Sequence, residues 1–321
     1  KGENVVRKKS KFIFSSQTMK GILMVGGLGT RLSPLTMTGV NKHILPVYNK
    51  PMFYYSLGLF LELSIRDILL VCQRKDVETF RRFVGDGSYL GIRLTYHIQE
   101  QPDGIPHIFY EASSFLQGDS CCLLLGDNFF YGKDLHARIK QGIEKVEIYG
   151  GASIFGYYVD NPSPYGVLDF SSKSSFYDTD NHTSIIHSIH DIIEKPEYPP
   201  SKYIVPGLYI YDSSVVERIH SLTKSTRGEY EICDLNRHYL KDIQLTVFLL
   251  SRDTTWFDMG EPSTLLKASQ FVSSIEKKGY SIGCLEEIAL QRHFIDKTKD
   301  WKECISRYPK NSPYRQYLET I

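Results

Sequence analysis

From Met19 onward, short β-rich apolar runs alternate with segments of helical period, and this alternation restricts the possible folds more than any other feature of the chain. The run G-I-L-M-V at 21–25 has strand length and ends in glycines. Residues 51–63 are helical in length, with Pro51 suited to a first turn. A strand follows at 67–72, a helix at 76–83, a strand at 93–98, a helix at 106–116 and a buried strand at 121–125. Strands separated by helices predict an α/β fold with a largely parallel sheet. After Gly151 the predicted strands lengthen, to 152–159, 166–170, 184–193 and 202–211. The Ser/Asp/Asn/His-rich stretch between 170 and 184 reads as an exposed loop. Helical patterns return at 213–221, 229–239 and 262–276. Three parts are expected: a basic, poorly ordered tail at 1–18, the main body at 19–277, and a small helical appendage at 278–321.

Composition narrows the function classes. Hydrophobic residues at 41% and charged residues at 23% exclude disorder as the main state. A net charge of +1 gives no global attraction to nucleic acid or anionic lipid. No apolar run reaches the ~18 residues a membrane-spanning helix needs. Cys72, Cys121, Cys122, Cys233, Cys284 and Cys304 form no C-x-x-C pair, so they read as reduced core thiols in a reducing compartment. The histidines are scattered, and no Ser-His-Asp order, Cys-His pair or zinc spacing stands out.

Four motifs carry the chemistry. G-G-L-G-T-R at 26–31 follows a strand, and glycines there let backbone N–H groups approach a phosphate. The motif fits neither the dinucleotide fingerprint nor the P-loop, since Leu32 stands where a glycine would and Thr30–Arg31 where G-K-[ST] would. Arg31 and Lys42 are cations able to hold a polyphosphate. L-G-D-N at 125–128 places Asp127 past a buried strand, where open α/β sheets bind ligands. W-F-D-M-G at 256–260 supplies Asp258, a second carboxylate from a distant segment. Two such carboxylates suit Mg²⁺, which is commonly bound by one or two carboxylates plus substrate phosphates. In I-E-K-P at 193–196, Glu194 and Lys195 form either a surface ion pair or a sugar-and-phosphate grip. This set points to nucleotidyl transfer, in which a sugar phosphate already ionised at neutral pH needs positioning and charge neutralisation more than a general base.

Together the motifs resemble the sugar-1-phosphate nucleotidylyltransferases, most closely the glucose-1-phosphate thymidylyltransferases of the short bacterial type. The matching segments include G-G-x-G-T-R-L-x-P-L-T, L-P-V-Y-N-K-P-M-F-Y-Y, F-V-G-D-G-S-Y-L-G, Q-P-D-G, L-G-D-N-F-F-Y-G, R-G-E-Y-E-I-C-D-L-N and W-F-D-M-G. The resemblance implies a Rossmann-like, mixed but mostly parallel sheet flanked by helices, with an inserted sugar-binding β region. It implies a Mg²⁺-dependent reaction of dTTP with glucose-1-phosphate, giving dTDP-glucose and pyrophosphate. Gly26 and Gly27 would lie against the nucleotide, and Gln99 and Gly104 would read the pyrimidine. Arg31 and Lys42 would hold the triphosphate, while Asp127 and Asp258 would bind Mg²⁺. Asn128, Gly166 and Glu194 would hold glucose hydroxyls with Val205 alongside, and Lys195 would bind the sugar phosphate. A cytoplasmic homotetramer with a regulatory nucleotide site between subunits is also implied, with neither nucleic acid nor membrane as partner. The same chemistry on another sugar phosphate or with UTP, and a non-catalytic nucleotide-sugar-binding homologue, are the alternatives.

The chain departs from the family pattern at a few places. I-P-H-I at 105–108 replaces L-A-Q-A, His43 replaces a Gln expected near the ribose, and Pro206 replaces a Thr beside the sugar. The stretch at 171–184 is longer than usual. Each is expected to alter fit or rate rather than remove a charged group.

Overall fold

The computed structural model describes residues 19–170, 177–179, 183–186 and 189–321. The basic tail at 1–18 lies outside the described residues, as does part of the long stretch at 171–184. Among the described residues, parallel strands form the nucleotide-facing half of the main sheet. Lys20–Met24 runs between Asp67–Cys72 and Cys121–Leu125, and Arg93–Ile98 closes that edge. The three inner strands are apolar on both faces in their central residues, as strands covered on two sides must be, whereas the edge strand Arg93–Ile98 alternates polar and apolar residues. Beyond Cys121–Leu125 the sheet becomes mixed. Leu208–Tyr211 is antiparallel to both of its neighbours, Cys121–Leu125 and Ala152–Tyr158, and Leu245–Leu249 pairs parallel with the latter. The α/β expectation of a mixed, mostly parallel sheet flanked by helices therefore holds.

Two expected strands divide. The run 184–193 splits into Thr183–Ile186, which joins the main sheet beside Leu245–Leu249, and Asp191–Glu194, which pairs with Gly166–Asp169 in a separate small sheet. The run 202–211 splits at Pro206–Gly207 into Tyr203–Ile204 and Leu208–Tyr211. Pro206 has no N–H for the ladder, and a Cβ at Gly207 would lie only 2.6 Å from Leu125 side-chain carbons, so the chain changes sheets there. Part of the expected loop is also ordered, with Tyr177–Thr179 antiparallel to Thr183–Ile186.

Helix Met52–Glu62 is buried from Met52 to Leu61, because it is covered on opposite sides. One side faces the sheet. On the other, Gly58 admits the C-terminal helix Leu285–Gln291, since a Cβ there would stand 3.2 Å from Ile288 Cδ1. The helical pattern at 106–116 breaks at Ala112 into His107–Glu111 and Ser113–Leu116. Helix Leu135–Tyr149 was not expected, although its buried Leu135, Ile139, Gly142 and Val146 recur at helical spacing.

Candidate active site

The site lies at the carboxyl ends of the parallel strands, as open α/β sheets require. A first chamber there is lined by Gly26, Gly27, Lys42, His43, Gln99, Gly104, Ile105, Leu125 and Asp127. Gly26 and Gly27 follow the first strand directly. Gly27 has φ 100°, and a Cβ on it would meet no atom within 4 Å, so its need for glycine comes from backbone conformation and the space beside it is open. Gly104 has φ 98°, and a Cβ there would overlap the Tyr230 carbonyl oxygen. The Tyr230 N–H in turn donates to Asp103 O at 2.8 Å, which ties the two loops together.

Lys42 sits on a single 3-10 turn, Lys42–Ile44, fastened by the carboxamide of Asn41. Asn41 Nδ2 donates to Val25 O and to Asp76 Oδ2, both at 2.8 Å. Asn41 Oδ1 accepts from the His43 N–H and from His43 Nδ1, again at 2.8 Å. Burial, and then the charge of Lys42, lower the His43 pKa to about 3, so the imidazole is neutral and carries its hydrogen on Nδ1. His43 is thus a buried part of the chamber wall with one nitrogen committed to the Lys42 turn.

A second chamber adjoins the first, sharing Ile105, Leu125 and Asp127 with it. Its lining also includes Arg31, Asn128, Tyr165, Gly166, Glu194, Lys195, Val205, Pro206, Cys233, Trp256 and Asp258. Two antiparallel pairings bring these together. In one, Asn128 stands opposite Asp258, within the antiparallel ribbon that Asn128–Tyr131 forms with the distant Thr255–Asp258. In the other, Glu194 stands opposite Gly166, and the Val205 N–H donates to Gly166 O at 2.8 Å. Lys195 follows with φ 45°, a left-handed conformation held by its N–H bond to Tyr165 O at 3.0 Å. Its ammonium lies 3.7 Å from Glu194 Oε1.

Asn128 is the hub between the chambers. Its Oδ1 accepts from Trp256 Nε1 at 2.8 Å and from the Gly207 N–H at 3.0 Å. Its Nδ2 donates to Asp127 Oδ1 at 3.0 Å, which leaves one Nδ2 hydrogen for a ligand.

Charge in the site is concentrated and paired. Lys42 Nζ donates to Asp127 Oδ2. Burial alone would raise the Asp127 pKa, but Lys42, His43 and the hydrogen bonds from Lys42 and Asn128 bring it well below the ordinary carboxylate value. Asp258 moves the other way, raised by burial and by the negative charge of Asp127, with Arg31 opposing. Arg31 spans two carboxylates, Nη1 to Glu261 Oε1 at 3.2 Å and Nη2 to Asp258 Oδ2 at 3.5 Å. Two buried carboxylates from separate strands, the charge of one raising the proton affinity of the other, form a hard-oxygen donor set suited to a divalent cation. Among the described residues no cluster of three or more His, Cys, Asp or Glu could hold a metal by itself. The remaining ligands to such an ion would come from substrate oxygens and water, the usual arrangement for Mg²⁺.

Every residue to which the resemblance gave a binding, metal or catalytic role lines one of these two chambers. Of the I-P-H-I segment only Ile105 lines them. Ile108 is fully buried in the core, and His107 stacks on Tyr230 with ring centroids 5.9 Å apart. Pro206 lines the second chamber. Sequence reasoning gave no role to Trp256, Tyr165, Arg227 or Cys233. Trp256 was legible, because it lies two residues before Asp258 on a strand and so shares its face. Arg227 and Cys233 lie within a quoted motif, but only the fold brings them to Glu194.

Comparison with known proteins agrees with this architecture. The nucleotidyl transferase family model matches residues 20–275. A glucose-1-phosphate thymidylyltransferase of Mycolicibacterium smegmatis is 44% identical over 279 residues, covering 87% of this chain and 91% of its own. One from Neisseria gonorrhoeae is 41% identical over 301 residues, covering 94% and 98%. Among solved structures, a Bacillus anthracis chain described as a glucose-1-phosphate thymidylyltransferase, crystallised with sucrose, superposes with a TM-score of 0.69. It is 33% identical and covers 79% of this chain and 95% of its own. A UDP-glucose pyrophosphorylase complexed with UDP-glucose, 21% identical with a TM-score of 0.67, shares the fold.

Proposed function

Because the chain belongs to the nucleotidyl transferase family, we propose that its paired chambers transfer a thymidylyl group from dTTP to glucose-1-phosphate, giving dTDP-glucose and pyrophosphate. The observation that carries this reading is the shared wall. Asp127 is the one charged residue lining both chambers, so a group bound in either can react beside it.

In this reading dTTP occupies the first chamber. Its base lies between Gln99 and Gly104, and its phosphates approach the open backbone at Gly26 and Gly27. Lys42 and Arg31, which here rest on Asp127 and Asp258, turn to the triphosphate when it arrives and neutralise the leaving pyrophosphate. Asp127 and Asp258 would hold Mg²⁺, whose chemistry is to neutralise phosphate oxygens and align them for in-line displacement. Glucose-1-phosphate occupies the second chamber. Glu194 accepts sugar hydroxyls, Asn128 offers its one remaining Nδ2 hydrogen, Gly166 lends its backbone to the chamber wall, and Val205 packs alongside. Lys195 holds the sugar phosphate, with Arg227 as a second cation within reach of the same carboxylate. The phosphate oxygen is already a nucleophile at neutral pH, so the protein's contribution is alignment and charge compensation.

Six buried, unpaired cysteines support a cytoplasmic setting, and no helix among the described residues is long and apolar enough to cross a membrane. Assembly into a homotetramer is part of this reading, and light scattering after gel filtration would test it. The deciding experiment measures pyrophosphate release with glucose-1-phosphate and Mg²⁺ against dTTP, UTP, CTP, ATP and GTP in parallel. Preferred release with dTTP is expected. Release only with another nucleotide would refute the base assignment, and binding without release would refute the activity.

A further inference from the structure

We infer that Cys233 is a positioning residue of the sugar chamber, its thiol donating the hydrogen bond that fixes how the Glu194 carboxylate faces the sugar hydroxyls. This rests on the reading of Glu194 as the sugar-binding carboxylate. Sγ lies 3.0 Å from Glu194 Oε2, while the other oxygen, Oε1, faces Arg227 Nη2 at 3.3 Å and Lys195 Nζ at 3.7 Å. Lys195 is a half-exposed cation that a bound phosphate would draw away, and Arg227 is held chiefly by Glu231, Nη2 to Oε2 at 2.6 Å and Nε to Oε1 at 3.1 Å. With Lys195 turned to phosphate, the thiol is the shorter of the two contacts left on the Glu194 carboxylate. Cys233 is only 1% exposed, in the first turn of helix Ile232–Lys241, so its position is set by the core and does not depend on the ligand.

Gly166 provides an independent indication. Its backbone does not need glycine, because its φ lies outside the left-handed region, yet a Cβ there would stand 2.6 Å from Cys233 Sγ and 3.5 Å from Glu194 Oε2. The glycine makes room for the thiol and the carboxylate together. Burial, and then the charge of Glu194, push the thiol pKa well above its ordinary value. The group therefore remains S–H and always donates, and it is unsuited to act as a nucleophile or redox centre.

The test compares Cys233→Ser, Cys233→Val and Cys233→Ala for KM of glucose-1-phosphate, KM of dTTP and kcat. Valine loses the donor but adds a second γ-branch, whereas alanine loses the donor by truncation, so an effect common to both reports the missing hydrogen bond and not a change of volume; alanine also serves should valine fail to fold. Loss of one hydrogen bond of about 1 kcal/mol predicts a roughly fivefold rise in the sugar-phosphate KM for Val and Ala. The serine variant, which keeps a donor, should stay within about twofold of wild type, as should KM for dTTP and kcat in every variant. Wild-type behaviour of the donor-free variants would overturn the inference, and so would equal damage from serine and valine. Glu194→Ala separates this outcome from the reading beneath it. If Glu194→Ala leaves the glucose-1-phosphate KM unchanged, the sugar assignment itself fails. If it raises that KM while Cys233→Val does not, only the role of Cys233 fails. In the Glu194→Ala background, Cys233→Val should add nothing further.

Discussion

Asn128→Asp replaces an amide N–H with a carboxylate oxygen and changes little else in shape, so it isolates the electrostatics of the hub. The wild-type Nδ2 lies 3.0 Å from Asp127 Oδ1. Two negative charges at that separation repel by about 5 kcal/mol at an effective dielectric constant of about 20. Lys42 on the far oxygen of Asp127 offsets part of this. If about half survives, the pair retains one proton to a pH about two units above the ordinary carboxyl value near 4. The unfolded chain releases that proton near its ordinary value while the folded chain keeps it. Stability relative to wild type is therefore least reduced below about pH 4 and falls as pH rises to about 6, by about 1.4 kcal/mol per unit and about 3 kcal/mol in all.

Asn128→Ala is the control. It removes the acceptor for Trp256 Nε1 and the Gly207 N–H, leaving two buried donors unpaired at about 1–3 kcal/mol each. Asp127 also loses the amide's hydrogen bond, but with Lys42 beside it stays ionised above about pH 5, so the loss should not vary between about pH 5 and about pH 7.5. Urea unfolding of wild type and both variants, at about pH 5 and about pH 7.5 with a chelator present, reads the difference directly. Asn128→Asp should lose further stability at the higher pH while Asn128→Ala does not. If the two variants stay parallel across this range, the close Asp127–Asn128 contact is not what holds the hub together.

Asp127→Asn and Asp258→Asn should each lower pyrophosphate release by at least about 100-fold, a loss that added divalent cation does not repair. They should part company in stability. The raised pKa of Asp258 marks a charge the fold disfavours, so without divalent cation Asp258→Asn should melt at or above the wild-type temperature, whereas Asp127→Asn deprives Lys42 of its partner and should melt below it. Gly104→Ala must relieve both a φ of 98° and an overlap with the Tyr230 carbonyl, a strain of about 1–3 kcal/mol. It should raise KM for dTTP about tenfold or more and leave KM for glucose-1-phosphate less affected; equal effects on both would place Gly104 outside the nucleotide chamber.

The α/β class was legible from the alternation of apolar runs with helical periods, and the charged residues that line the chambers from their place at strand ends, Asp127 just past Cys121–Leu125, Asp258 closing Thr255–Asp258 and Glu194 closing Asp191–Glu194. The sheet topology beyond Gly151 was less so. Thr183–Ile186 and Asp191–Glu194 are both strand-like in composition, and nothing local in 184–193 shows that the chain leaves one sheet for another. Pro206 does signal a break in 202–211, but a proline is also compatible with the edge of a continuing strand. Helix Leu135–Tyr149 was obscured by its long polar face, on which Lys140, Glu144, Lys145 and Glu147 stand among the few apolar positions. The contact of Cys233 with Glu194 had no signal in the sequence, since it depends on a helix and a small sheet meeting across a glycine.

The departures from the family pattern also look different once placed in the fold. Pro106 and His107 were expected to alter fit or rate, and the segment presents only Ile105 to the chambers and buries Ile108 behind it. Pro106 precedes helix His107–Glu111 with φ −59° and ψ −32°, a conformation proline adopts without strain. His107 acts at one remove, stacked on Tyr230, whose carbonyl oxygen packs against Gly104 and whose N–H binds Asp103. His43 is likewise tied to Asn41, which has all four of its hydrogen-bonding contacts inside the wall. A change at either histidine therefore reaches the nucleotide through the loop it holds. Ile105 faces both chambers, and for that reason substitution there should alter the kinetic constants for dTTP and glucose-1-phosphate together, whereas substitution of His107 should move mainly those for the nucleotide.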